Sequence, residues 1–214
     1  MADEHVDAAQ EDFDPAAPRG GTEAPVDPRA ADLTNYGADG RGDLPPDEGG
    51  TEGASPFGSP AVLPIDIAKA HAFLVACMTS HPRVRYGLGA KIKPGQQVPG
   101  RDFVEVDCSG FVREAIRRST SLGGRFPDGS VVQHDWVKAQ GFRPVDRSAG
   151  RLDDGAVRIA FLKPADSPQR IGHVVLLHRG RTLESHGGVG PDERPWTVQG
   201  WQSKAYVYLL TPGD

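Results

Sequence analysis

Two stretches of the chain carry apolar residues at helical spacing. Apolar side chains near position 70 follow one another at steps of three and four, which predicts a helix over 65–79. The members of that face are Ile67, Ala70, Leu74 and Cys77. A second helix is predicted to begin at the turn at 107–109 and to end at the glycine pair at 123–124. Its apolar face consists of Cys108, Phe111, Val112 and Ala115.

The second half of the chain changes to a pattern typical of strands. Runs enriched in Val, Ile, Leu and Tyr predict four strands, over 156–162, 173–178, 182–186 and 205–210. Arg179-Gly180 between the middle two fits a tight hairpin connection. Helices followed by an antiparallel sheet indicate an α+β domain rather than alternating β-α-β units.

The first 57 residues differ from the rest in composition and charge. They contain nine Asp, five Glu and three Arg, a formal charge of -11, and few large apolar side chains. Such a segment buries too little surface to offset the entropy cost of ordering it. We therefore predict a disordered acidic tail, rich in Gly, Pro and Asp, over 1–57, and one folded domain over 58–214. The rest of the chain has 21 basic and 15 acidic side chains, a formal charge of +6.

The two cysteines stand in different surroundings. Cys77 lies in the apolar run AFLVACM and is predicted to be a packed thiol. Cys108 lies in the polar turn VDCSGF, at a helix start where free backbone N–H groups and the helix dipole favour a thiolate. Asp107 is placed to cap that helix. Cys108 is therefore the candidate nucleophile; the alternative is a small core cysteine at a helix start.

Two histidines strengthen the case for a cysteine hydrolase. His173 opens one predicted strand and His186 ends the next, so a hairpin would bring both imidazoles to one end of the sheet. A nucleophilic cysteine needs a base for its proton and a polar group that fixes the tautomer of that base. The sequence therefore predicts one site that contains Cys108, His173 and His186.

These motifs resemble a known family. The segment 107–112, DCSGFV, looks like the nucleophile signature of the NlpC/P60 family of papain-like cell-wall peptidases. Gly172-His173-Val174 resembles the base strand of that family, and His186 matches its third polar residue. Tyr86 in YGLG resembles the tyrosine-and-glycine motif that precedes the cysteine. The resemblance covers the chain from about residue 60 to its end and implies a papain-like fold, with N-terminal helices packed on a central antiparallel sheet.

The resemblance also implies an activity. By this resemblance the protein would be a cysteine peptidase or amidase that hydrolyses an amide in the peptidoglycan stem peptide. The usual target in that family is the bond between γ-D-glutamate and diaminopimelate. Cys108 would attack the carbonyl, His173 would take and return the proton, and His186 would orient His173.

Three further residues receive substrate roles from the same resemblance. Tyr86, together with the backbone N–H of Cys108, would stabilise the oxyanion. Asp107 and Ser109 would bind polar ends of the substrate. No metal and no cofactor is expected.

A second likeness bears on delivery. The CSGFV core and the closing run at 201–209 resemble small amidase effectors that type VI secretion injects into rival bacteria. This implies a secretion or phage carrier, or an immunity protein, as partner, and neither nucleic acid nor membrane. The first residues have no basic and apolar regions of a secretory signal. We therefore expect cytoplasmic synthesis, and action at the bacterial cell wall or in the periplasm after non-classical delivery.

Three other functions compete with this interpretation. A papain-like site also supports an acyltransferase or a deamidase that acts on a protein, since a fold does not fix a substrate. The chain could instead be a non-catalytic docking module that works through its acidic tail. A zinc site of Cys108, His173 and His186 is the third, although neither a CxxC nor an HxxxH spacing supports it.

Overall fold

A computed structural model describes residues 61–122 and 125–213. The predicted acidic tail over 1–57 and the glycine pair at 123–124 lie outside these residues. Within the described part the chain is an α+β fold of three α-helices and six strands. These are α1 (Ile67–Thr79), α2 (Cys108–Ser119), α3 (Ser130–Ala139), β1 (Pro144–Val145), β2 (Val157–Leu162), β3 (His173–His178), β4 (Arg181–His186), β5 (Gly190–Asp192) and β6 (Tyr206–Thr211).

The six strands form one antiparallel sheet in the order β1-β6-β2-β3-β4-β5. Strand β2 lies near the centre and pairs with β3 along its whole length, from Val157 opposite His178 to Leu162 opposite His173. The β3–β4 pairing extends only from the hairpin to Leu176 opposite Leu183. Beyond that point β4 pairs with β5 instead. The backbone beside His173 is therefore not paired with β4, which leaves room for polar side chains there.

Both predicted helices are confirmed, within a few residues at their ends. Helix α1 begins after Asp66, whose carboxylate accepts a hydrogen bond from the Lys69 backbone N–H. Helix α2 begins at Cys108, as predicted, and ends at Ser119. Groups outside the helix bind its last carbonyls: the Thr120 hydroxyl donates to the Ile116 carbonyl at 2.9 Å, and the Asp66 backbone N–H donates to the Ser119 carbonyl at 2.8 Å. This satisfies groups that a helix end otherwise leaves free.

The sheet is covered on both faces. One face packs against α1 and α2 in the main core, where Phe73 and Phe111 stack with ring centroids 5.4 Å apart. The other face carries a smaller apolar cluster. Its fully buried members are Ala160, Val175, Leu177, Trp196, Ala205 and Val207. Every residue of β2 is consequently buried. All are apolar except Arg158, whose guanidinium pairs with the Asp154 carboxylate.

One helix and two strands, α3, β1 and β5, are not predicted from the sequence. Helix α3 follows Gly129, which has no side chain to cap it, so the usual start signal is missing. Strands β1 and β5 have two and three residues, too few for a period to show. The four predicted strands are confirmed as β2, β3, β4 and β6. No helix in the described residues is long and apolar enough to cross a membrane.

Candidate active site

The start of helix α2 holds Cys108 against the sheet. The Asp107 carboxylate caps the helix by accepting from the Gly110 backbone N–H at 2.6 Å. One residue earlier, the Val106 carbonyl accepts from the Ser185 hydroxyl on β4 at 2.8 Å. The first turn of α2 is therefore tied to the strand that follows His173 along the hairpin. Cys108 itself is 6% exposed and forms no disulfide.

Cys77 is the contrasting thiol. It is fully buried on α1 within the main core. Burial raises the pKa of its thiol to about 12, because a thiolate in apolar surroundings loses its hydration. This confirms the prediction of a packed thiol and makes Cys77 a natural control for experiments on Cys108.

His173 lies between Cys108 and a carboxylate. Its Nε2 is 2.8 Å from Glu184 Oε2, and the Cys108 thiol lies near enough to the same ring to act on its pKa. Because Nε2 faces Glu184, Nδ1 is the nitrogen left for the thiol. Burial disfavours the imidazolium, but the hydrogen bonds and charges of Cys108 and Glu184 outweigh it. They raise the pKa of His173 to about 10. The side chain keeps 17% of its surface exposed, so reagents and substrate can reach it.

Glu184 is a fully buried carboxylate with every oxygen occupied. Besides His173, it accepts two hydrogen bonds from Arg194, Nε to Oε1 at 2.9 Å and Nη2 to Oε2 at 2.8 Å. The Thr182 hydroxyl donates to Oε1 at 2.6 Å. Burial would raise the pKa of Glu184, yet His173 and Arg194 hold it well below its usual range. Glu184 is therefore a fixed anion that orients the imidazole.

His186 does not occupy the position expected of it. The group bonded to His173 is Glu184, and the His186 ring turns to its own strand end, with Nδ1 3.2 Å from the Gly187 carbonyl. Its Nε2 lies 3.6 Å from Asp192 Oδ2. Residues 184 and 186 point to the same face of β4, so the alternation of the strand favours neither over the other. The structure corrects the expected His173–His186 contact; any other part for His186 in the reaction stays a prediction.

Tyr86 lies near enough to Cys108 and Asp107 for their charges to act on its phenol, and its role in binding the oxyanion stays a prediction. The segment before it packs on the β4–β5 turn so closely that a Cβ on Gly190 would lie 2.7 Å from the Val84 carbonyl. Burial raises the pKa of the Tyr86 phenol well above its usual value, and negative charge on Cys108 and Asp107 raises it further. The hydroxyl consequently stays protonated at neutral pH and can donate a hydrogen bond near the thiol.

Asp107 and Ser109 flank the cysteine, but a lysine already binds them. Lys91 Nζ forms an ion pair with Asp107 Oδ2 and donates to Ser109 Oγ at 2.6 Å. Both partners are nearly buried, at 5% and 3% exposure. The sequence analysis did not single out Lys91, which lies in the polar loop that follows Tyr86.

Trp201 forms one wall of the site. Its ring meets the His173 ring edge to face, with centroids 4.9 Å apart and planes at 89°. Trp196 in turn packs on Trp201 at 5.6 Å. An aromatic wall against the imidazole limits its rotation and excludes water from one side of it.

Of the site residues that the sequence did not predict, Glu184, Arg194 and Lys91, only Glu184 carries a signal in the sequence. Glu184 is a charged residue inside a predicted strand, and a charge that must be buried usually has a partner. That signal could have drawn attention to Glu184, but not to Arg194 or Lys91, which lie in loops whose paths the sequence does not reveal.

The alternative of a metal centre finds no ligand set. Within residues 61–122 and 125–213, no group of three or more His, Cys, Asp or Glu side chains is arranged to hold a metal ion. Glu184 instead hydrogen-bonds both His173 and Arg194, and Cys108 lies near the His173 ring. We call these four residues, Cys108, His173, Glu184 and Arg194, the His173 cluster.

Comparisons with known proteins add no relative. No protein-family model matches the chain, and a search of the curated proteins found no match. The chemistry of the His173 cluster therefore has to be argued from its geometry. A thiol, an imidazole and a buried carboxylate in this order can activate a sulfur nucleophile and return its proton to a leaving group.

Proposed function

We propose that this protein is a cysteine-dependent hydrolase that cleaves an amide bond in the peptide part of peptidoglycan. The observation that carries the proposal is the position of His173, between the thiol of Cys108 and the buried carboxylate of Glu184. The coarser statement, a cysteine-dependent acyl-group hydrolase, rests on that geometry. The choice of substrate rests on the resemblance of the DCSGFV and Gly-His-Val motifs.

The first half of the reaction forms an acyl-enzyme. His173 already holds the proton of the thiol as an imidazolium, and the Cys108 thiolate attacks the amide carbonyl to form the C–S bond. The backbone N–H at the start of α2 and the Tyr86 hydroxyl bind the resulting oxyanion. When the C–N bond breaks, the proton held by His173 goes to the leaving amine.

The second half returns the enzyme to its starting state. His173, now neutral, takes a proton from water, and the hydroxide attacks the thioester carbonyl. The C–S bond breaks and the carboxylic acid leaves, which restores the Cys108 thiolate beside the His173 imidazolium. Glu184 keeps the imidazole in one orientation throughout and stabilises its charged form, as the third member of a catalytic triad does.

The substrate we propose is the γ-D-glutamyl-diaminopimelate bond of the stem peptide. The formal charge of +6 outside the first 57 residues is suited to an anionic wall polymer, although its main effect is on the rate of encounter. Delivery as an effector, or with a phage particle, belongs to the same proposal.

The test is mass spectrometry of diaminopimelate-type peptidoglycan fragments after incubation with the full chain. We expect cleavage by the wild type and by Cys77→Ala, and a loss of about 10³-fold or more in Cys108→Ala. The Cys77 variant is the matched control, because it removes a thiol of the same protein outside the site. Release of a free acid identifies hydrolysis, whereas exchange onto an added amine would identify acyl transfer. Equal activity of Cys108→Ala and wild type would contradict the proposal.

A further inference from the structure

The loop that carries Lys91 is held against the first turn of α2 on both sides of the lysine. The Ala90 carbonyl accepts from the Asp107 backbone N–H at 2.9 Å. The Ile92 carbonyl accepts from the Arg113 guanidinium, and Ile92 itself is 2% exposed. Because both neighbours are anchored, the position of Lys91 beside the nucleophile is built into the fold.

The ammonium of Lys91 binds the two polar side chains that flank Cys108, those of Asp107 and Ser109. Asp107 Oδ1 accepts from the Gly110 backbone N–H at 2.6 Å and from Ser109 Oγ at 3.1 Å, while Oδ2 pairs with Lys91. The Ser109 hydroxyl donates to Asp107 and accepts from Lys91 at 2.6 Å. The charge of the Asp107 carboxylate is thus neutralised from within the chain.

This arrangement decides what a substrate can place there. A free ammonium on the substrate would have to displace Lys91 from Asp107, or approach it against a like charge. An ammonium has three N–H donors, and the contacts to Asp107 and Ser109 use two of them. With a quarter of its side chain exposed, Lys91 can offer the third to an acceptor oxygen.

We propose that Lys91 is a specificity-determining residue, which selects substrates whose amine nearest Asp107 and Ser109 is acylated and discriminates against a free ammonium there. The inference rests on the proposed function, and it specifies the substrate further. In peptidoglycan the first residue of the stem peptide is acylated while the peptide is joined to its glycan strand, and its amine is free once the peptide is released. Lys91 would direct the enzyme to stem peptides that are still attached.

The experiment measures binding, so that it does not depend on hydrolysis. Full-length Cys108→Ala protein is titrated by calorimetry with L-Ala-γ-D-Glu-diaminopimelate and with its N-acetyl form. We expect the acetylated peptide to bind at least about tenfold more tightly, a difference of about 1.4 kcal/mol. Adding Lys91→Met to this protein should lower the ratio of the affinities for the acetylated and the free peptide about tenfold or more. The reason is that Asp107 and Ser109 then become free to bind an amine. Lys91→Gln, which keeps a donor without the charge, is the second variant in case Lys91→Met does not fold.

Lys93→Met is the matched control, since Lys93 lies two residues away on the same loop with its side chain exposed. It should leave the ratio within about twofold of that of the parent protein. An unchanged ratio in both folded Lys91 variants, tighter binding of the free amine by the parent, or binding of neither peptide would overturn the inference. A further outcome separates the two proposals. If the acetylated peptide binds more tightly as expected, but the protein with Cys108 cleaves neither peptide, the inference on Lys91 stands and the proposed hydrolase activity is wrong.

Discussion

The same three residue types, His, Glu and Arg, meet at two places along the β3–β4 hairpin. One is the His173 cluster. The other, which we call the His71 cluster, consists of His71, His178, Arg181 and Glu193. In it, Glu193 lies 3.2 Å from both His71 Nδ1 and Arg181 Nε, and His71 Nε2 is 3.2 Å from His178 Nδ1. Arg181 and Glu184 lie three residues apart on β4, so they point to opposite faces of the strand.

Burial and the fourth partner distinguish the two clusters. The Glu184 side chain is fully buried with contacts of 2.6–2.9 Å, whereas Glu193 is 28% exposed with contacts of 3.2 Å. The imidazole of the first cluster faces a thiol, and that of the second faces another imidazole. Of the two, the first contains a thiol and the second does not, so the proposed chemistry is possible only at the first.

The two histidines of β3 consequently have pKa values shifted in opposite directions. That of His173 is raised to about 10 by Cys108 and Glu184 despite its burial. That of His178 is lowered, first by burial and then by the charge of His71. The strand begins with an imidazolium and ends with a neutral imidazole near pH 7.

The largest expected effect is a difference in activity between variants of the two carboxylates, Glu184 and Glu193. We expect Glu184→Gln to lower kcat/KM about 10²- to 10⁴-fold, because an amide neither stabilises the imidazolium nor holds the same tautomer. Glu193→Gln should change it less than about threefold. The measurement is steady-state hydrolysis of diaminopimelate-type fragments by both variants and the wild type.

His186→Gln is a further control for that experiment. If His186 orients the base, as the sequence alone predicts, its variant should lose as much activity as Glu184→Gln. The contacts in the structure predict a smaller loss for His186→Gln, of less than about tenfold. The opposite ranking would show that Glu184 is a structural carboxylate only.

An intermediate effect concerns stability and pH. A raised pKa means that His173 stabilises the native state fully below pH 6.5, and that this contribution is lost as the pH rises toward 10. A lowered pKa means that the contribution of His178 is present above pH 6.5 and lost as the pH falls. Urea unfolding at about pH 5, 7 and 9.5 should therefore show opposite slopes for the two residues.

Two variants isolate those slopes. His173→Gln should flatten the alkaline limb, by an amount on the order of a few kcal/mol, and His178→Gln should flatten the acidic limb by less. Identical pH profiles of the wild type and both variants would show that neither imidazole is coupled to its partners.

Much of this arrangement follows from local sequence, and the rest depends on loops. Helix α2 begins at Cys108, because the Asp107 cap and the apolar face after it are adjacent in the chain. The strands of His173 and His186 are predicted for the same reason, since their period is local. Tyr86 stands twenty-two positions before Cys108 in the chain, yet it lies near enough for the Cys108 charge to act on its phenol. Periodicity gives no sign of this nearness, whereas the tyrosine-and-glycine motif does.

The choice between Glu184 and His186 could not be made from the sequence. Both point to one face of β4, and the choice depends on where Arg194 places its guanidinium. Arg194 lies in the loop after β5, and β5 is too short to be predicted. The same holds for Lys91, whose contact with Asp107 joins two segments with no common period.

The smallest effect should be the loss of the half-exposed ion pair of the His71 cluster. Arg181 is 47% exposed, so water and salt weaken its attraction to Glu193. We expect Arg181→Met to cost about 0.2–1 kcal/mol at low ionic strength, which lowers Tm by roughly 1–4 °C. The cost should largely disappear at about 1 M salt, where the screening length is about 3 Å.

Arg179→Met in the same hairpin is the control, because that guanidinium is 65% exposed and 3.4 Å from an exposed Asp153. A cost for Arg181→Met that is equally large at high salt would mean that the His71 cluster is as well shielded as the His173 cluster, and that the thiol alone distinguishes them.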